Sequence, residues 1–118
     1  MRSHYVLGAV LVLLALTMWS TQAAAAEQLV VTLVKLTSPA SSGSVVTVTI
    51  RTDTGAECKG TVRYRRSTQI LASKTTNDEG TVTWSWRLGS DAQGNYPIDM
   101  QCTQGDKRGF LSATLVVN

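Results

Sequence analysis

The clearest pattern in the chain runs from Gly80 to Gly89, where Val82, Trp84, Trp86 and Leu88 alternate with Thr81, Thr83, Ser85 and Arg87. Period two of this kind marks a β-strand with one buried face. Trp84 and Trp86 carry the largest apolar load on that face, so the core is expected to form around them. Similar alternation recurs on both sides. Leu29 to Leu36 reads as a first strand, and Val46, Val48 and Ile50 as the inner face of a second. Cys58, Gly60, Val62 and Tyr64 share one face of a third, with Lys59, Thr61, Arg63 and Arg65 on the other. Ile70 to Thr75 is a weaker fourth strand at an edge, where Lys74 would discourage pairing with other chains. The Gly80–Gly89 stretch is the fifth. Tyr96, Ile98, Met100 and Cys102 give the inner face of a sixth, and Phe110 to Val117 the seventh.

Turn-forming stretches separate these runs: Asp53-Thr54-Gly55, Asn77-Asp78-Glu79-Gly80, Asp91-Ala92-Gln93-Gly94 and Gln104-Gly105-Asp106-Lys107. Short strands with a turn roughly every ten residues, and no helical period, predict an all-β fold. The expected architecture is a seven-stranded antiparallel β-sandwich. Its core is expected to hold Val62, Tyr64, Val82, Trp84, Trp86, Leu88, Tyr96, Ile98 and Met100.

The N-terminal residues follow a different pattern. Arg2 precedes an apolar run from Tyr5 to Leu16, a polar stretch, and then Ala23-Ala24-Ala25-Ala26. This is the layout of a signal peptide with small residues at the cleavage site. The apolar run of about a dozen residues is short of the roughly 20 needed to span a bilayer. The expected division is a signal peptide at 1–26 and a β-sandwich domain at 27–118, secreted or otherwise extracytoplasmic, with no stable membrane span after cleavage.

Cleavage changes the available chemistry. His4 is the single histidine of the sequence and goes with the leader, while both cysteines, Cys58 and Cys102, stay. Two cysteines in an exported chain read as one disulfide, and with no histidine left either, zinc sites and Ser/His or Cys/His catalytic sites of the usual kind are excluded. No cofactor, metal or enzymatic activity is expected. If Cys58 faces Cys102 across antiparallel neighbours, Gly60 faces Met100, Val62 faces Ile98 and Tyr64 faces Tyr96. Pro97 opposes the last step of this register, having no N–H to give opposite Arg63.

The stretches Gly80-x-Val82-x-Trp84-x-Trp86-x-x-Gly89, Gly94-x-Tyr96-Pro97-Ile98 with Cys102, and Thr54-Gly55-Ala56-x-Cys58 resemble the small immunoglobulin-like domains of exported bacterial proteins. The resemblance implies a spacer, adhesion or binding role, with an unknown protein or a cell-envelope polymer as partner. Antibody-type domains match less well, since Met100 stands where their tyrosine precedes the second cysteine.

Three stretches are candidates for sharper functions. Asp53-Thr54-Gly55-Ala56 looks like the Asp-Thr-Gly-Ala of retroviral-type aspartic peptidases, which pair two aspartates across a dimer. A turn explains the same residues, and the peptidases' apolar residues before the aspartate are replaced here by Arg51 and Thr52. Trp84 and Trp86 could form a sugar-stacking platform, but their parity with Val82 and Leu88 assigns them to the core. Lys59, Arg63, Arg65 and Arg66 form a basic stripe suited to a carbohydrate or to a polyanion such as an acidic wall polymer, anionic lipid or nucleic acid, with Lys107 and Arg108 near its end. Against this, Asp99 is expected opposite Thr61, where it would offset Lys59 and Arg63. The formal net charge of +3 falls by one when Arg2 is removed, so no nucleic-acid partner is expected.

Overall fold

The computed structural model describes residues 28–118. The expected leader at 1–26 and its cleavage lie outside the described residues. Seven strands follow in order: β1 (Thr32–Leu36), β2 (Val45–Arg51), β3 (Glu57–Arg63), β4 (Thr68–Thr75), β5 (Thr81–Arg87), β6 (Gly94–Gln104) and β7 (Lys107–Val117). They form two antiparallel sheets, of order β1-β2-β5 and β4-β3-β6-β7, with no helix among the described residues.

Alternation sets which face of each strand turns inward. From the first sheet come Val46, Val48 and Ile50 of β2 and Val82, Trp84 and Trp86 of β5. From the second come Cys58 and Val62 of β3, Leu71 of β4, Tyr96, Ile98, Met100 and Cys102 of β6, and Leu115 and Val117 of β7. Ile50, Ile98 and Leu115 lose all solvent contact, and burying each such side chain contributes about 1.5–3 kcal/mol. Leu88, just past β5, is buried as well, while Tyr64 is only half-buried at the core's margin.

The central register agrees with the cysteine argument. Cys58 lies opposite Cys102, Gly60 opposite Met100, Thr61 opposite Asp99 and Val62 opposite Ile98. The Cys58–Cys102 disulfide is closed, with the Cα atoms 4.1 Å apart and both residues fully buried. It joins neighbours within one sheet, unlike the bond between sheets in antibody domains. The β3–β6 ladder stops at Val62 and Ile98, one step before the proline that lacks a donor. Gly60 is required here, because a Cβ would lie 2.7 Å from the Asp99 carbonyl oxygen and 2.9 Å from Met100 Cγ.

The first strand departs from expectation. Leu29–Leu36 is not one strand but a segment shared between sheets. Gln28 bridges Arg108 of β7 in parallel, and the Leu29 N–H donates to the Arg108 carbonyl at 2.9 Å. The chain then crosses to pair with β2 from Thr32, and returns to β7 where Ala40 bridges Val117. Gly109 makes the crossing possible, since a Cβ there would overlap the Leu29 carbonyl. The segment thereby covers both ends of the outer edge of β7.

The opposite side of the sandwich is closed by side chains. Trp84 of β5 donates its indole N–H to the Ala72 carbonyl of β4 at 2.8 Å, and Lys74 Nζ reaches the Thr83 carbonyl at 2.7 Å. Lys74 therefore ties two edge strands together in addition to blocking β4.

A candidate binding pocket at one end of the sandwich

Beyond Arg63 the chain leaves the sheet and turns through Tyr64-Arg65-Arg66-Ser67, closed by a Tyr64 N–H to Ser67 carbonyl bond of 2.8 Å. Tyr64 fixes this turn to both layers. Its hydroxyl accepts the indole N–H of Trp86, from the other sheet, at 2.7 Å. Its ring meets that of Tyr96 edge-on, with centroids 4.8 Å apart and planes at 74°, a favoured aromatic geometry. The Tyr96 hydroxyl donates back to the Gln93 carbonyl at 2.7 Å. A tyrosine at the start of the sixth strand bonding a few residues upstream is the tyrosine corner of immunoglobulin-like sandwiches. Tyr96 takes this part here, six residues before Cys102, rather than the Met100 position two before it.

Burial raises the Tyr64 hydroxyl above the ordinary tyrosine value of 10.0; the Trp86 hydrogen bond lowers it in part, and neighbouring Tyr96 raises it further. Tyr64 accordingly stays neutral and keeps its own O–H proton to donate.

From the first sheet, Arg87 ends β5 and donates Nη1–H to the Gly43 carbonyl at 2.9 Å. Gly94, at φ +138°, has no side chain to intrude; a Cβ there would lie 3.1 Å from the Tyr96 hydroxyl and 3.4 Å from Arg65 Nη2. These elements enclose a pocket of about 500 Å³ lined by Tyr64, Arg65, Arg66, Arg87, Asp91 and Tyr96 among others. Three arginines and one aspartate are among its lining residues. No ion pair joins Arg65 or Arg66 to a carboxylate among the described residues.

The basic stripe is thus divided. Lys59 and Arg63 lie on the outer face of β3, whereas Arg65 and Arg66 sit in the turn at the pocket. Arg63 Nη2 is 3.1 Å from Asp99 Oδ2, and Asp99 Oδ1 accepts from Ser112 Oγ at 3.0 Å. Both charges of the pair are about half in water, where such a pair contributes about 0–1 kcal/mol. Lys59 lines a shallow groove on the same face, between Ile70 and Phe110, which are 62% and 69% exposed. Lys107 and Arg108 open β7 at the end of the sheet farther from the pocket.

The other two candidates resolve into structural roles. Trp84 and Trp86 are 5% and 9% exposed, so no flat aromatic platform exists. Asp53-Thr54-Gly55 forms the β2–β3 turn, with Gly55 at φ +80°. Buried Thr76 anchors the turn, donating to the Asp53 carbonyl at 2.7 Å and accepting the Ala56 N–H at 3.0 Å. The Asp53 carboxylate lies 3.7 Å from Lys107 Nζ, within ion-pair distance.

No protein-family model matches the sequence, and no curated protein matches it. Among solved structures, the sulfur carrier protein SoxY from Chlorobium limicola f thiosulfatophilum is similar, with a TM-score of 0.53 at 13% identity, over 86% of this chain and 94% of that one. The likeness is one of fold.

Sequence reasoning placed Arg65 on a strand face, with Arg66 beside it in the basic stripe, and did not single out Arg87 or Asp91 as site residues. Arg87 is visible as the polar partner of Trp86, but nothing in its own sheet's pattern indicates which residues of the other sheet it meets. The Trp86–Tyr64 bond makes that connection, and it forms only when the two layers close.

Proposed function

We propose that the chain is an exported bacterial immunoglobulin-like module with a binding or adhesion role at or outside the cell surface, and not an enzyme. The observation that carries this reading is the fully buried Cys58–Cys102 bond. Disulfides of this kind form and persist in oxidising, extracytoplasmic compartments, and the apolar leader at 1–26 supports the same destination. No catalytic role is needed to explain the tryptophans, Asp53 or the cysteines, which all serve the fold. Carrying sulfur on a thiol would need a free cysteine, and both cysteines of the sequence are tied in the bond.

The test is attachment without turnover. The purified exported protein is mixed with cell envelope from the producing organism, and the bound fraction is read after sedimentation at rising salt. Saturable binding, with the envelope polymer chemically unchanged, is expected. Acid-pH peptidase activity that is blocked by pepstatin and lost in Asp53→Asn would establish the catalytic alternative instead.

A further inference from the structure

We propose that the pocket between Arg65, Arg66 and Arg87 binds an acidic sugar: a hydroxylated ring carrying a carboxylate, sulfate or phosphate group. The inference rests on the reading of the chain as a binding module and supplies its site and ligand class.

The cations come from two directions. Arg65 and Arg66 are carried by the β3–β4 turn of one sheet, and Arg87 by the end of β5 in the other. Arg87 is fixed by one bond from Nη1 to the Gly43 carbonyl, which leaves the rest of its five N–H donors available. Planar guanidinium groups suit oxyanions because they give paired, charge-assisted hydrogen bonds. Charge of one sign does not describe the whole site, however. Asp91, Ser67 and Gln69 line the same pocket. A bare anion gains from the arginines and is opposed by Asp91. A ligand with hydroxyl donors beside its anionic group satisfies both, since Asp91 then accepts from a hydroxyl. Tyr64 adds a donor, its oxygen already accepting the Trp86 N–H, and its half-buried ring gives an apolar surface for the C–H face of a sugar. The volume of about 500 Å³ lies within the range of small-ligand sites, about 300–1,000 Å³.

The experiment is an amide-shift titration of the ¹⁵N-labelled exported protein with glucuronic acid, glucose 6-sulfate and glucose 6-phosphate in separate arms. Neutral glucose and sodium sulfate are the comparison probes. The expected result is saturable shifts at Ser67, Gln69, Gly89 and Ala92 with one or more acidic sugars, and weaker binding of both comparison probes. Which arm responds identifies the anionic group. Arg65→Gln/Arg66→Gln should weaken that binding about tenfold or more, the scale of losing charge-assisted hydrogen bonds, whereas Lys59→Gln/Arg63→Gln leaves it unchanged. Shift mapping on the unaltered protein reads the site even if a variant folds poorly. Sulfate binding as tightly as every acidic sugar, shifts absent from the pocket, or undiminished binding by the folded Arg65→Gln/Arg66→Gln variant would each overturn the proposal. Acidic-sugar binding lost only in Lys59→Gln/Arg63→Gln would overturn this site while leaving the binding-module reading intact. Failure of envelope attachment in the sedimentation assay bears on that broader reading instead.

Discussion

Replacing Cys58 and Cys102 together by alanine removes the one covalent cross-link of the sandwich. The two residues are 44 apart in sequence, and the chain-entropy relation gives about 4 kcal/mol at 25 °C for closing a loop of that length. In a domain of this size 1 kcal/mol moves the melting temperature by about 4–8 °C. The double variant should therefore melt about 15–30 °C lower, with the entropic figure setting the upper end. Circular dichroism on heating reads the shift, and urea unfolding gives the free energy. The single variants decide the cause, because either one abolishes the cross-link. Under the cross-link account Cys58→Ala and Cys102→Ala each lose nearly as much as the double variant. If the cysteines contribute mainly by packing, each single variant loses about half of the double-variant effect, in line with additivity of independent sites. A double variant losing less than about 1 kcal/mol, an ordinary effect for a point mutation, would refute the reasoning.

Tyr96→Phe keeps the ring contact with Tyr64 but deletes the bond to the Gln93 carbonyl; a loss of about 0.5–1.5 kcal/mol is expected in urea unfolding, the usual net worth of one hydrogen bond. The Tyr64 hydroxyl titrates above the ordinary 10.0 in the folded protein, so its contribution is fully present below about pH 10 and is lost as pH rises through the folded value. The stability difference between wild type and Tyr64→Phe should hence be constant from pH 7 to about 10 and change only above it; a change beginning near pH 8 would contradict this. Asp53→Asn should lower stability by at most about 1 kcal/mol, because asparagine suits the turn and the exposed pair with Lys107 is weak.

Much of the sandwich was legible because burial on one face forces alternation, and a one-residue slip would turn every side chain the wrong way. The third and sixth strands were the best case: two cysteines at matching parity fixed their register, and Pro97 marked where pairing stops. Residues 29–36 were harder to read, since Leu29, Val31 and Leu33 look alike as a strand but serve different sheets. The deciding residue is remote: Gly109 opens the space that Leu29 enters. The pocket was legible only in part for a similar reason. Arg65 continues the parity of Lys59 and Arg63, yet β3 ends at Arg63 and the next residues turn over the end of the sandwich. Arg87 reaches the same place from a different sheet, and strand periodicity carries no information about contacts between layers.

The central claim is an exported, disulfide-closed module, and the intact mass of the protein recovered without reduction tests it most directly. The account predicts a species outside the cytoplasm that begins within two residues of Glu27 and is two hydrogens lighter than the reduced form. Alkylation before reduction should add nothing to it. A chain retaining Met1, or one that takes up alkylating agent at both Cys58 and Cys102 without prior reduction, would contradict the account.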